Sequence, residues 1–351
     1  MRVFLDFFLK TFAFLSSIFL FFFLILTIFS WINEENLILN QNLKFIEGDK
    51  DSKNTILKIK LKGPILLESS YQSEFNLIGI PSAIYVNELE KIFDNLIFDE
   101  IKGMVISIDS PGGTVSATYK FYNILEKLKK KYNLKIYFYS NEILTSGAYW
   151  TALAGDKIYT NYGTIIGSIG VRGPDWIYYN KPIAISNSIF DKSVETIDGI
   201  KKYRMIAGKS KDIYDSFRKP TDKEISALQE ILDEVYLDFV NLVSKKRKIE
   251  NDFIENEIGA LIYNAKKAKK IFLIDDIKEL KDVYKLMIRD LNLENYKILK
   301  LTNQKSLYEN FIKTSYYLAG NSLEKDINII CKEIDNFHNI FLINNFYINK
   351  C

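Results

Sequence analysis

Residues 106–115 read I-S-I-D-S-P-G-G-T-V, residues 145–150 read T-S-G-A-Y-W, and residues 165–171 read I-I-G-S-I-G-V. Each is an apolar run leading to a glycine-marked turn, and each carries a serine. Short buried strands ended by such turns, with helical stretches between them, specify an α/β domain with a largely parallel sheet. Ser146 stands out among the three serines. The apolar run I-Y-F-Y (136–139) leads towards it, and the helix-compatible run A-Y-W-T-A-L-A (148–154) follows. A serine at a strand-to-helix junction presents its hydroxyl where free N–H groups and the helix dipole favour developing negative charge. That suits a nucleophile. The bland reading stands beside it: serine is a preferred N-cap, and a serine before a helix is usually only a cap.

Outward from this stretch the elements alternate. Residues 55–61 alternate enough for a first strand, closed by Gly63-Pro64, and 67–82 read as a loop. Residues 84–98 have helical spacing, 104–109 form a short buried strand, 117–131 a helix with a basic end, and 134–139 another strand. In residues 172–206, which Gly173-Pro174 breaks, the run D-W-I-Y-Y-N-K-P-I-A-I reads either as a strand or as an extended excursion. A long amphipathic helix is expected over 222–247, with Leu228, Leu232, Val235, Tyr236, Phe239 and Val243 on one face. Shorter helical pieces are expected at 254–262, 265–274 and 282–290. The tail from 296 to 351 carries no chemistry legible in its residues. Gly208-Lys209-Ser210 is not the end of a phosphate loop, because Tyr203 stands where that motif needs glycine.

Near the N-terminus, the run from Thr11 to Ile32 holds no charge and is long enough to cross a bilayer as a helix. It ends in F-S-W-I without the small residues of a cleavage site, so an uncleaved signal anchor is expected. Arg2 and Lys10 precede the run while Glu34 and Glu35 follow it, which keeps the N-terminus cytoplasmic and exports the rest.

The chain's 351 residues suffice for one large or two ordinary domains, and a net charge of +3 implies no nucleic-acid partner. The single histidine, His338, lies far along the chain from Ser146, so a Ser-His-Asp triad is not indicated. The two cysteines, Cys331 and Cys351, form no metal-binding pattern, and no cofactor is called for. A Cys331–Cys351 disulfide stays open for an oxidising compartment.

Together, D-S-P-G-G (109–113), T-S-G-A-Y (145–149), G-S-I-G-V (167–171) and A-G-K-S-K-D (207–212) resemble the signal peptide peptidase A family. These are membrane-anchored bacterial serine proteases. The resemblance covers about residues 55–290, and F-R-K-P-T (217–221) with the long helix after it also fits. It implies a Clp-protease/crotonase-like core of repeated ββα units, preceded by one transmembrane helix. It divides the chain into an anchor (1–32), a linker (33–54), a protease domain (55–290) and an extension (291–351). It implies Ser146 as nucleophile, Lys211 as general base, the backbone N–H groups of Gly113 and Gly147 as oxyanion donors, and Ser168 as the residue orienting the lysine. A lysine base accounts for the missing histidine, since a desolvated, neutral amine can activate serine. The bland readings are tight-turn geometry for Gly112, Gly113, Gly167 and Gly170, and a solvated charge for Lys211.

Two departures are visible. The interval from Ser146 to Lys211 is longer than in compact members, and the commoner S-G-G-Y is S-G-A-Y here. The resemblance further implies apolar peptide substrates such as remnant signal peptides, a homo-oligomer whose serine and lysine can come from neighbouring subunits, and a bacterial inner-membrane location with the catalytic domain periplasmic. Two other functions fit the fold: a crotonase-like acyl-CoA enzyme and a non-catalytic oligomeric scaffold. The anchor argues against the first and the Ser/Lys pair against both. A related periplasmic protease subgroup with different substrates is the runner-up.

Overall fold

The computed structural model describes residues 4, 7–24, 43–68, 83–179 and 202–302, together with the backbone of 341–343. Residues 25–32 of the expected anchor, 33–42 of the linker, most of the 67–82 loop, residues 180–201 of the excursion, His338 and both cysteines lie outside the described residues. The first helix, α1 (Phe7–Leu24), has a mean hydropathy of 2.1 and none of it is buried within the protein, so it is long and apolar enough to cross a membrane.

The main sheet grows from a repeated unit. A long strand enters the sheet, a Gly-marked turn leads to a short strand outside it, and a helix returns. In the first unit, β2 (Thr55–Lys62) is followed by the short strands β3 (Ile65–Leu66) and β4 (Ile84–Tyr85) and then α2 (Val86–Asp94). The second is β5 (Ile101–Asp109), β6 (Gly112–Thr114) and α3 (Val115–Tyr132). The third is β7 (Lys135–Ser140), β8 (Ile143–Thr145) and α4 (Gly147–Ala152). A fourth begins with β9 (Lys157–Thr160) and β10 (Ile165–Gly167). The long strands β2, β5, β7 and β9 pair in that order, all parallel. The central strands β5 and β7, buried on both faces along nearly their whole length, carry the continuous apolar runs that parallel strands require.

The sheet extends beyond residues 55–290 on both sides. Strand β1 (Leu43–Gly48) falls in the stretch expected as linker, yet it pairs antiparallel with the strand Lys297–Leu301, which in turn pairs parallel with β2. The alternation in L-K-F-I-E-G is short and half-exposed, so only its distant partner makes it a strand.

After β10 the chain reaches α5 (Asp222–Arg247), which opens with a capping box in which Thr221 and Glu224 satisfy each other's backbone N–H groups. Its Phe239, Val240 and Val243 are buried, and Phe239 packs its ring 4.8 Å from that of Trp150 on α4. Residues 254–262, expected as helical, form instead a π-helical turn (Ile254–Ile258) that continues α6 (Asn251–Phe253) and then β11 (Ile262–Asn264). The reason is Gly259 at φ +53, which ends the helix, and the antiparallel pairing of β11 with β10, which no local pattern announces. Helix α7 (Ala265–Lys270), strand β12 (Asp276–Ile277), helix α8 (Leu280–Asp290) and β13 (Lys297–Leu301) complete this part. A last strand, β14 (Phe341–Ile343), pairs antiparallel with β6.

Candidate active site

The repeat positions the site. Gly113 lies on the short strand of the second unit, Ser146 directly after that of the third, and Ser168 directly after that of the fourth. Three hydrogen bonds lace the second unit to the third: Ser110 N–H to the Ile143 carbonyl (2.9 Å), Thr145 N–H to the Ser110 carbonyl (3.3 Å), and the Thr145 hydroxyl to the Pro111 carbonyl (3.2 Å). Strands β8 and β10 pair in parallel with Thr145 opposite Gly167, and Ser146 N–H donates to the Gly167 carbonyl at 2.8 Å. The three serine-bearing motifs therefore converge at one end of the sheet, where parallel α/β folds place their chemistry.

Asp109 anchors this end. Its buried carboxylate accepts from the Ser140 hydroxyl (2.9 Å) and from the N–H groups of Asn141 and Glu142 (2.8 Å each), tying the β7–β8 turn to the end of β5. The sequence reading passed over this role. The available signal was a lone acid ending an otherwise apolar strand.

Ser146 has backbone angles of φ +54 and ψ −123, a conformation that costs a non-glycine residue on the order of 1–3 kcal/mol. Its side chain is 1 % exposed, its Oγ has no hydrogen-bond partner, and it makes no capping bond to α4. A buried hydroxyl left unpaired costs about another 1–3 kcal/mol. The capping explanation is thus unavailable, and two unfavourable features meet at one side chain. Such strain at a sharp strand-to-helix turn is how a nucleophilic serine is held out for attack.

The glycines divide by physical cause. Gly112 (φ +110) and Gly167 (φ +119) need left-handed backbone. At Gly113 the cause is proximity: a Cβ there would stand 1.8 Å from the Ile65 carbonyl oxygen on β3. Ser168, also at positive φ (+53), donates its N–H to the Leu261 carbonyl at 2.7 Å. It opens a cleft of about 830 Å³ between the 168–173 segment, α5 (Leu232, Tyr236) and residues 259–262.

Lys211 stands apart. It lies in a turn running 208–214, is exposed, and makes no hydrogen bond to Ser146 or Ser168 among the described residues. The burial expected for a lysine base is therefore not supplied within the single chain. The turn is fixed to the N-terminus of α5, whereas α5 meets α4 at Phe239, fifteen residues later. That is on the order of 20 Å of helix axis.

The turn itself is held by charge. Arg218 Nε and Nη2 donate to the two Asp212 carboxylate oxygens (2.9 Å each), and Arg218 Nη1 and Nη2 donate to the two Glu224 oxygens (2.9 Å each). The Arg218 guanidinium also lies 5.3 Å from the Trp176 ring centroid. Arg218, Ser210 and Thr221 together hold the Glu224 carboxyl well below the usual carboxylate range. A carboxyl with a depressed pKa contributes its stabilisation above its ordinary value near 4.5, and loses it only as pH falls through the depressed one. The clamp is accordingly intact across mildly acidic and neutral pH. The T-x-x-E capping signature at 221–224 was readable in the sequence, but the arginine's two-sided role was not.

A protein of Methanocaldococcus jannaschii named as a protease is 30% identical over 237 residues, covering 67% of this chain and 69% of that protein. The family model "Peptidase family S49" matches residues 128–294, a span that contains Ser146, Ser168 and Lys211. This chain belongs to peptidase family S49. An Enterococcus faecium protein named as a signal peptide peptidase is 24% identical over 257 residues, covering 73% of this chain and 69% of that one. Among solved structures, a membrane-bound stomatin-specific protease aligns with 72% of this S49 chain and all of its own, at 15% identity and a TM-score of 0.40.

Proposed function

We propose that this S49 peptidase is a membrane-anchored serine endopeptidase working through a Ser146/Lys211 dyad. Ser146 Oγ attacks the peptide carbonyl, the neutral Lys211 amine takes its proton, and that proton then passes to the departing amine. Water deacylates the ester by the same route in reverse roles. The N–H groups of Gly113 and Gly147 hold the tetrahedral oxyanion, and Ser168 orients the lysine. The observation that carries this reading is the buried, partnerless Ser146 hydroxyl on a strained junction, flanked by two glycine motifs.

The base comes from a neighbouring copy of the chain. Lys211 is exposed on its own chain and makes no hydrogen bond to its own Ser146 among the described residues. Docking of two copies would desolvate the lysine and favour its neutral form. The substrates are apolar peptides, including signal-peptide remnants, presented at the outer face of the inner membrane to which α1 anchors the protein.

The test is hydrolysis of a fluorogenic apolar peptide by the full chain in detergent, alongside Ser146→Ala and Lys211→Ala. Both variants should fall to background, a loss of at least about 10³ in kcat/KM. Activity retained by Ser146→Ala would falsify the nucleophile assignment. An inert but assembled wild type would favour a scaffold of the same fold.

A further inference from the structure

Among the described residues Lys211 has no hydrogen bond or ion pair of its own, yet both its sequence neighbours are held. Asp212 is clamped by the Arg218 fork, and its carbonyl also accepts from Arg218 Nη2 at 3.4 Å. Ser210, on the other side, is held through its carbonyl, which accepts from Ile213 N–H at 3.3 Å, and lies by the Glu224 carboxylate that Arg218 grips. Successive turns close the segment, with Ile213 N–H on the Ser210 carbonyl, Asp215 N–H on the Asp212 carbonyl and Arg218 N–H on the Asp215 carbonyl. Ser210 (φ +62) and Tyr214 (φ +67) both take left-handed backbone, a cost repaid by these ties. The Trp176 indole N–H donates to the Asp215 carbonyl at 3.3 Å and its ring lies against Arg218, so the 172–179 segment is tied to the same point.

We infer that Arg218, gripped by Glu224 at the start of α5, is the positioning residue of the catalytic lysine: it aims Lys211 by holding the residues on either side of it. The inference rests on the reading of Lys211 as base. An exposed, flexible amine must be delivered to a serine on another copy, and a fixed turn on a long rigid helix removes the search. Arginine suits this role because its planar fork satisfies two carboxylates at once, which lysine cannot do. Misplacing a reacting group by about 1 Å costs on the order of 10² in rate.

The test compares Arg218→Gln, Arg218→Lys and Lys211→Ala. All are full chains in detergent, assayed for kcat, KM and thermal midpoint. We expect Arg218→Gln to lower kcat about 10²-fold with KM nearly unchanged, and Arg218→Lys, which keeps the charge and the fold, to lower it less. The kcat loss in Arg218→Gln should exceed what its thermal midpoint accounts for, and Arg218→Lys should recover part of it. Wild-type kcat in Arg218→Gln beside an inactive Lys211→Ala overturns the inference and leaves the dyad standing. A kcat loss that tracks the thermal midpoint in both Arg218 variants reduces Arg218 to a fold-stabilising residue and also overturns it. A fully active Lys211→Ala removes the lysine base itself, and the inference with it.

Discussion

At the scale of the residue, the site is defined by unfavourable local states that the surroundings enforce. Ser146 keeps a strained backbone and an unpaired buried hydroxyl because its N–H is fixed to Gly167 and its approach strand to the Ser110–Pro111 turn. Gly113 is enforced differently, by the Ile65 carbonyl pressed against the place where a Cβ would stand. Gly113→Ala must push β6 away from β3 and carry the proposed oxyanion N–H with it. Loss of one such donor lowers kcat by about 10²–10³. We expect that loss with KM little altered, measured on the purified full chain. An alanine variant as fast as wild type would place the oxyanion donor elsewhere.

At the scale of the element, the proposed site gathers on the short strands of the repeat, and the edge of β6 is already occupied. Strand β14 runs antiparallel to β6, with Leu342 opposite Gly113 and Phe341 opposite Thr114. An extended substrate joining this edge by main-chain pairing would need the same place. Deleting residues 341–351 should therefore raise kcat/KM for a short peptide several-fold through a lower KM; an unchanged KM would put the substrate path off this edge. None of this pairing was legible beforehand, because β6 and β14 are three residues each and their partnership spans more than two hundred positions. What was legible had dense local signals: the apolar runs that became β5 and β7, and the amphipathic period that set α5 at 222–247 as expected. The site shows the same division. Ser146, Ser168 and Gly113 sit in short motifs that the repeat brings together, whereas Asp109, Arg218 and Trp150 act through partners that only the tertiary structure supplies.

At the scale of the whole molecule, the two halves of the proposed dyad sit on different elements. Ser146 rides on the sheet, and Lys211 rides on the far end of α5 with the exposed Ile225 and Ile231 nearby on that helix. A head-to-tail ring reconciles them, since each interface then pairs one chain's serine with the next chain's lysine. This makes a quantitative prediction. Ser146→Ala and Lys211→Ala chains, each inactive alone, are co-expressed in equal amounts so that they assemble together. An interface is intact when a Lys211→Ala chain offers its serine to a neighbour carrying Ser146→Ala. In a randomly mixed ring that occurs at about one interface in four, so activity should return to about a quarter of wild type. Mixing the separately assembled variants should restore activity only as fast as subunits exchange. If the co-expressed mixture stays at background while its oligomers contain both chains, serine and lysine meet within one chain, and the exposed Lys211 must be desolvated there instead.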